Sequence, residues 1–81
     1  MKIEELIKIA EKNNYRYYGA SDGTYNFYRK RDHAFLGISI FKINQVLFLD
    51  NDWCDEFDFN MIKAVIKFAE TSIEERGDYD L

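Results

Sequence analysis

Among its 81 residues the chain has one cysteine, Cys54, and one histidine, His33, so it is nearly without the side chains that most often carry covalent and metal chemistry. A lone cysteine excludes an internal disulfide and points to a reducing compartment, the cytoplasm. One thiol and one imidazole cannot assemble a zinc centre. The longest uninterrupted apolar run is Val46-Leu47-Phe48-Leu49, far below the ~20 residues of a membrane span. No arginine-rich or apolar leader is expected, because residues 1 to 12 already alternate Ile and Leu with Glu and Lys. The four glycines, Gly19, Gly23, Gly37 and Gly77, match neither a P-loop nor a dinucleotide fingerprint.

What is present is apolar and aromatic. A content of 47% hydrophobic and 17% aromatic residues is that of a folded chain, and the length allows one domain, residues 1–81. Ile3, Leu6, Ile7 and Ala10 fall on one stripe of a 3.6-residue period, predicting a helix over residues 2 to 13 that ends at Asn13-Asn14. Tyr15-Arg16-Tyr17-Tyr18 and Thr24 to Tyr28 read as strands joined by a hairpin at Ser21-Asp22-Gly23. The polar run Arg29-Lys30-Arg31-Asp32-His33 is expected in a turn. Ala34 to Phe41 follows as a strand with Leu36, Ile38 and Ile40 on one face and Phe35, Ser39 and Phe41 on the other. Val46 to Leu49 is apolar on both faces, which predicts the most buried strand. Ile62, Val65, Ile66, Ala69 and Ile73 predict a second helix, near 57 to 76 and stopped by Gly77. The fold expected is therefore α+β: an N-terminal helix, a three- or four-stranded antiparallel sheet and a C-terminal helix, with both helices on one sheet face. Leu6, Ile7, Leu47, Leu49, Ile62, Val65 and Ile66 are its predicted core.

Charge divides the chain. The net charge is −4, yet residues 1 to 49 carry +3 and residues 50 to 81 carry −7. Asp50, Asp52, Asp55, Glu56 and Asp58 place five acids within nine residues with no base among them. Asp50-x-Asp52 begins like a calcium loop, but the sixth position is Asp55 instead of Gly and the twelfth is Met61 instead of Glu. Neither a metal nor another cofactor is expected. His33 among Arg and Lys, and Cys54 among carboxylates, form no activated nucleophile and base, so no enzyme is expected and no catalytic residue is assigned.

A helix N-terminus needs one or two acids, and five exceed that need at the cost of mutual repulsion. With Trp53 and Phe57 in the same run, the segment reads as aromatic anchors ringed by acids. The expected partner-binding residues are Asp50, Asp52, Trp53, Asp55, Glu56 and Asp58. The expected function is non-enzymatic: an acidic surface that binds, and so inhibits, a basic protein that handles nucleic acid. The alternative is direct nucleic-acid binding, with bases stacked on some of Tyr15, Tyr17, Tyr18, Tyr25, Phe27 and Tyr28, and phosphates met by Arg16 and the basic turn Arg29-Lys30-Arg31.

In size, in its opening Met1-Lys2-Ile3-Glu4-Glu5-Leu6-Ile7 helix, in its central antiparallel sheet and in the acids around a later helix, the chain resembles small phage-encoded inhibitors, notably the acidic anti-CRISPR proteins that imitate DNA. That resemblance implies acids on loops and helix ends occupying sites meant for DNA phosphates. The basic turn Arg29 to Arg31 has no counterpart in it.

Overall fold

The computed structural model describes residues 1–29, 34–50 and 53–77, and the order of elements is that expected for an α+β domain. Helix α1 (Ile3–Lys12) buries Ile3, Leu6 and Ala10, the stripe its spacing dictates, with Ile7 only half-buried at the margin. Asn13 ends it, and Asn14 reverses the chain in the left-handed region at φ 64°. Strands β1 (Tyr15–Ser21) and β2 (Thr24–Arg29) are joined by Asp22-Gly23, both with positive φ, the pair a tight hairpin requires. Strands β3 (Ala34–Ser39) and β4 (Val46–Asp50) complete an antiparallel meander of four strands in the order β1-β2-β3-β4.

One face of this sheet carries both helices. Alternation sends Tyr15, Tyr25, Phe27, Leu36 and Ile38 inward, where they meet Met61, Val65 and Phe68 of helix α2 (Glu56–Ala69). Tyr25 meets Phe68 edge to face with ring centroids 5.5 Å apart. Helix α1 lies mainly over β1 and α2 over β3 and β4. The other face is left uncovered among the described residues.

Three expectations need correction. Leu47 and Leu49 are 50% and 56% exposed, so β4 is the least buried strand: it is a sheet edge, and both leucines point to the uncovered face. Helix α2 is rotated from the expected phase. Met61, Ala64, Val65, Phe68 and Ala69 face the sheet, while Ile62 is half-buried, and Ile66 is 51% exposed. The helix also stops at Ala69, well before Gly77. After a short 3-10 turn, Ile73–Glu75, Arg76 folds back under it and is buried. Its guanidinium donates to the carbonyls of Thr71, Ala69 and Ser39 at 3.1, 2.9 and 2.7 Å and lies 4.9 Å from the centroid of the Phe68 ring. This cation satisfies the carbonyls a helix end leaves open and ties the end of α2 to β3. The Arg76 carbonyl then accepts from the Ile3 amide at 2.6 Å, closing α1 onto the same corner.

Candidate partner-binding surface

The acidic segment is built around the start of α2. Asp55 is its N-cap, one carboxylate oxygen accepting from the amides of Phe57 at 3.0 Å and Asp58 at 3.2 Å. Asp58 answers by accepting from the Asp55 amide at 2.9 Å, a reciprocal capping box. Both acids then meet a cation from β2. Arg29, expected in a solvated turn, is buried at the end of the strand and grips Asp55 through two nitrogens at 2.9 and 2.7 Å. It also donates to Asp58 at 2.6 Å, while Tyr15 of β1 donates its hydroxyl to the other Asp58 oxygen at 2.7 Å. Arg29 further covers the Phe57 ring at 5.6 Å.

Asp58 is 0% exposed, and a carboxylate is tolerated there because each oxygen has a charged or strongly polar donor. The bidentate Arg29 guanidinium holds the Asp55 carboxyl well below the usual carboxylate range. Burial, and then the hydrogen bond to Asp58, push the Tyr15 phenol far up. Hydrogen bonding to Asp55 raises Arg29 in turn, against the effect of its burial. The cluster therefore joins β1, β2 and α2: of the two acids expected to meet a partner, Asp58 is sealed within the fold, and Asp55, 36% exposed, is engaged by Arg29 and by the helix amides.

The other expected site residues divide. Glu56 is exposed and Trp53 is 77% exposed, the most open large hydrophobic side chain among the described residues. Asp50 is half-buried and accepts from the Cys54 thiol at 3.4 Å. Asp52, with Lys30, Arg31, Asp32 and His33, lies outside the described residues. Ligand atoms of Asp50, Cys54 and Asp58 fall within 4.8 Å of one another. Asp58 is already committed to Arg29 and Tyr15, and burial first, then Asp50, push the Cys54 thiol up toward its protonated form. That set is engaged internally and is not arranged as a vacant ligand cage.

The larger surface feature is the open face of the sheet. Tyr18 and Tyr28 meet edge to face at 4.8 Å, and Tyr28 meets Phe35 at 4.9 Å, forming a row of rings across three strands. Leu49 sits opposite Phe35 and Leu47 opposite Gly37, so the apolar row continues onto β4. Arg16 lies opposite Tyr28 in register. Toward the β1–β2 hairpin the same face turns polar, with Asn26 donating to the Gly19 carbonyl at 3.2 Å and to Ser21 Oγ at 3.1 Å. Tyr15, Tyr25 and Phe27 are core, so of the aromatics considered for stacking only Tyr18 and Tyr28 stand open.

Alternation was the available signal for this face. Tyr18, Tyr28 and Phe35 each lie one residue from an inward-facing neighbour; the one-residue bulge between Tyr17 and Gly19 then resets the parity, so that Gly19 pairs with Asn26. No family model, curated protein or solved structure matches the chain.

Proposed function

We propose that this chain is a non-enzymatic interaction domain that grips a protein partner with the open face of its sheet. The observation that carries this is the uncovered row Tyr18, Tyr28, Phe35 and Leu49, which crosses all four strands. Contiguous exposed aromatics with aliphatic neighbours and little charge are the composition of an interface centre. Exposed Glu56 and the acid-rich second part of the chain, within a net charge of −4, steer the domain toward a basic partner such as a protein that handles nucleic acid, whose function it then blocks, and exposed Trp53 offers an anchor. A phosphate-mimicking role would rest on Asp50, Asp52 and Glu56, since Asp55 and Asp58 serve the fold. The raised Cys54 thiol supports the non-enzymatic reading.

Arg16 beside Tyr28 favours one second reading, single-stranded nucleic acid stacked on the same rings. Photo-crosslinking separates the two. A benzophenone side chain at position 28 should give protein adducts in cells, lost with Leu49→Lys and reduced by Asp52→Asn with Glu56→Gln, while one at Lys8 on α1 gives none. Nuclease-sensitive adducts would transfer the assignment to nucleic acid. Equal adducts from both positions would overturn the face as a binding site.

A further inference from the structure

The two edges of this sheet are built differently. β1 is interrupted by its bulge and carries Arg16, both devices that discourage pairing with another strand. β4 has neither: its register with β3 is unbroken, and Val46, Leu47 and Leu49 are exposed without a cation, a proline or a bulge.

The hydrogen-bond phase of β4 follows from its first rung. Ser39 donates to the Gln45 carbonyl at 3.1 Å, so residues 45, 47 and 49 bond toward β3, and the backbone groups of 46 and 48 face away from it. We propose that this outer edge pairs with β4 of a second copy of the chain, antiparallel about a two-fold axis at Phe48. In that register Phe48 faces its own counterpart across two backbone hydrogen bonds. Leu47 meets the second copy's Leu49 on the open face, and Val46 meets its Asp50 on the helix side. The central Leu47-Phe48-Leu49 is self-complementary in this pairing. Leucine meets leucine, and the two Asp50 residues lie at opposite ends of the ladder, about 13 Å apart.

Helix α2 supplies a second, independent fit. It covers β3 and β4, so the α2 helices of the two copies would lie two strand spacings apart, about 10 Å, the distance at which helices pack. The side that would face the second copy is located by a depression that Ile66 lines with Val46, Ala69, Asn44 and Glu70; Phe59 and Ile62 share the stripe of Ile66, and Lys63 and Glu70 flank it, so the strip is aliphatic at its centre with one charge of each sign beside it. This explains why α2 has a second apolar stripe that its own sheet does not use. The inference stands apart from the partner reading, because it uses the strand's edge and can be tested on the purified chain alone.

The test is sedimentation equilibrium on the wild type, Val46→Glu and Val46→Lys, each with helix and sheet content checked by circular dichroism. The wild type should dimerise, and more tightly as salt screens the net negative charge. Val46→Glu sets a carboxylate against the partner's Asp50 and should weaken the dimer about tenfold or more, whereas Val46→Lys sets a cation there and should preserve or tighten it. Hydrogen exchange needs no variant. The Val46 and Phe48 amides should gain protection as concentration rises, while those of Leu47 and Leu49, bonded to β3, should be protected throughout. A wild type that stays monomeric up to about 1 mM, equal effects of Glu and Lys, or Val46 and Phe48 amides that exchange freely at every concentration would each overturn the proposal.

Discussion

Tyr25 and Phe27 stand two residues apart on β2 with Tyr28 beside them, and their fates are opposite. The first two are sealed beneath the helices, and the third lies on the uncovered side of the same sheet. Residue type does not distinguish them, since tyrosine occurs on both sides. Only pleat parity and the placement of two helices do. The covered side is where stability resides, and it includes the Arg29, Asp55, Asp58 and Tyr15 cluster. The open side has rings that meet one another at an angle and pack on no element of the core.

That contrast can be broken by substitution, and the largest effect should come from the charged cluster. Asp58→Ala leaves the buried Arg29 with half its partners, and Arg29→Ala leaves a fully buried carboxylate without its cation. Each should cost about 3 to 5 kcal/mol in urea unfolding, while Tyr18→Ala on the open side should cost no more than about 1.5 kcal/mol. Equal costs would erase the distinction between the two faces.

The same cluster sets a pH dependence at both ends. Asp55 has a folded-state pKa below its unfolded value, so its contribution is present above about pH 4 and is lost as pH falls further. Tyr15 has a folded-state pKa above its unfolded value, so its contribution is present below about pH 10 and lost as pH rises. Urea midpoints should therefore fall in both directions from a neutral plateau, and Arg29→Ala should flatten the acid side.

Within α2 the contrast sharpens to adjacent residues. Met61→Ala should cost about 2 to 5 kcal/mol, and Ile62→Ala about 1 kcal/mol, although isoleucine is the more hydrophobic residue. The smallest effect is expected at Tyr17. Its hydroxyl is buried without a hydrogen-bond partner among the described residues, so Tyr17→Phe should leave the unfolding midpoint unchanged or slightly raised.

Local chemistry made much of this fold legible. Asn14 and Asp22-Gly23 have side chains, or lack of them, suited to positive φ, so turns were predictable where they occur. The alternation in β3 likewise fixed which residues point inward. The phase of α2 was not legible, because Met61, Phe68 and Val65 form one apolar stripe and Ile62, Ile66 and Phe59 another. Which stripe faces inward depends on the sheet it meets. β4 posed the same difficulty, since a strand apolar on both faces suits a central position and an uncovered edge alike. At the candidate site, the sequence could not show which acids would be engaged within the fold: Trp53 and Glu56 are exposed, whereas Asp55 and Asp58 are held by Arg29, 26 and 29 residues earlier, and no local window contains that pairing.

Gly37 lies among the rings of the open face, and its backbone conformation is one any residue can adopt. A methyl group built there would stand 3.3 Å from the tip of the Phe35 ring and 3.8 Å from Thr24. Phe35 therefore rests in space that one missing carbon provides. Gly37→Ala would displace that ring and, through it, Tyr28, without touching the core. The open face is thus adjustable from a single position: its contour can change while the scaffold beneath keeps its packing.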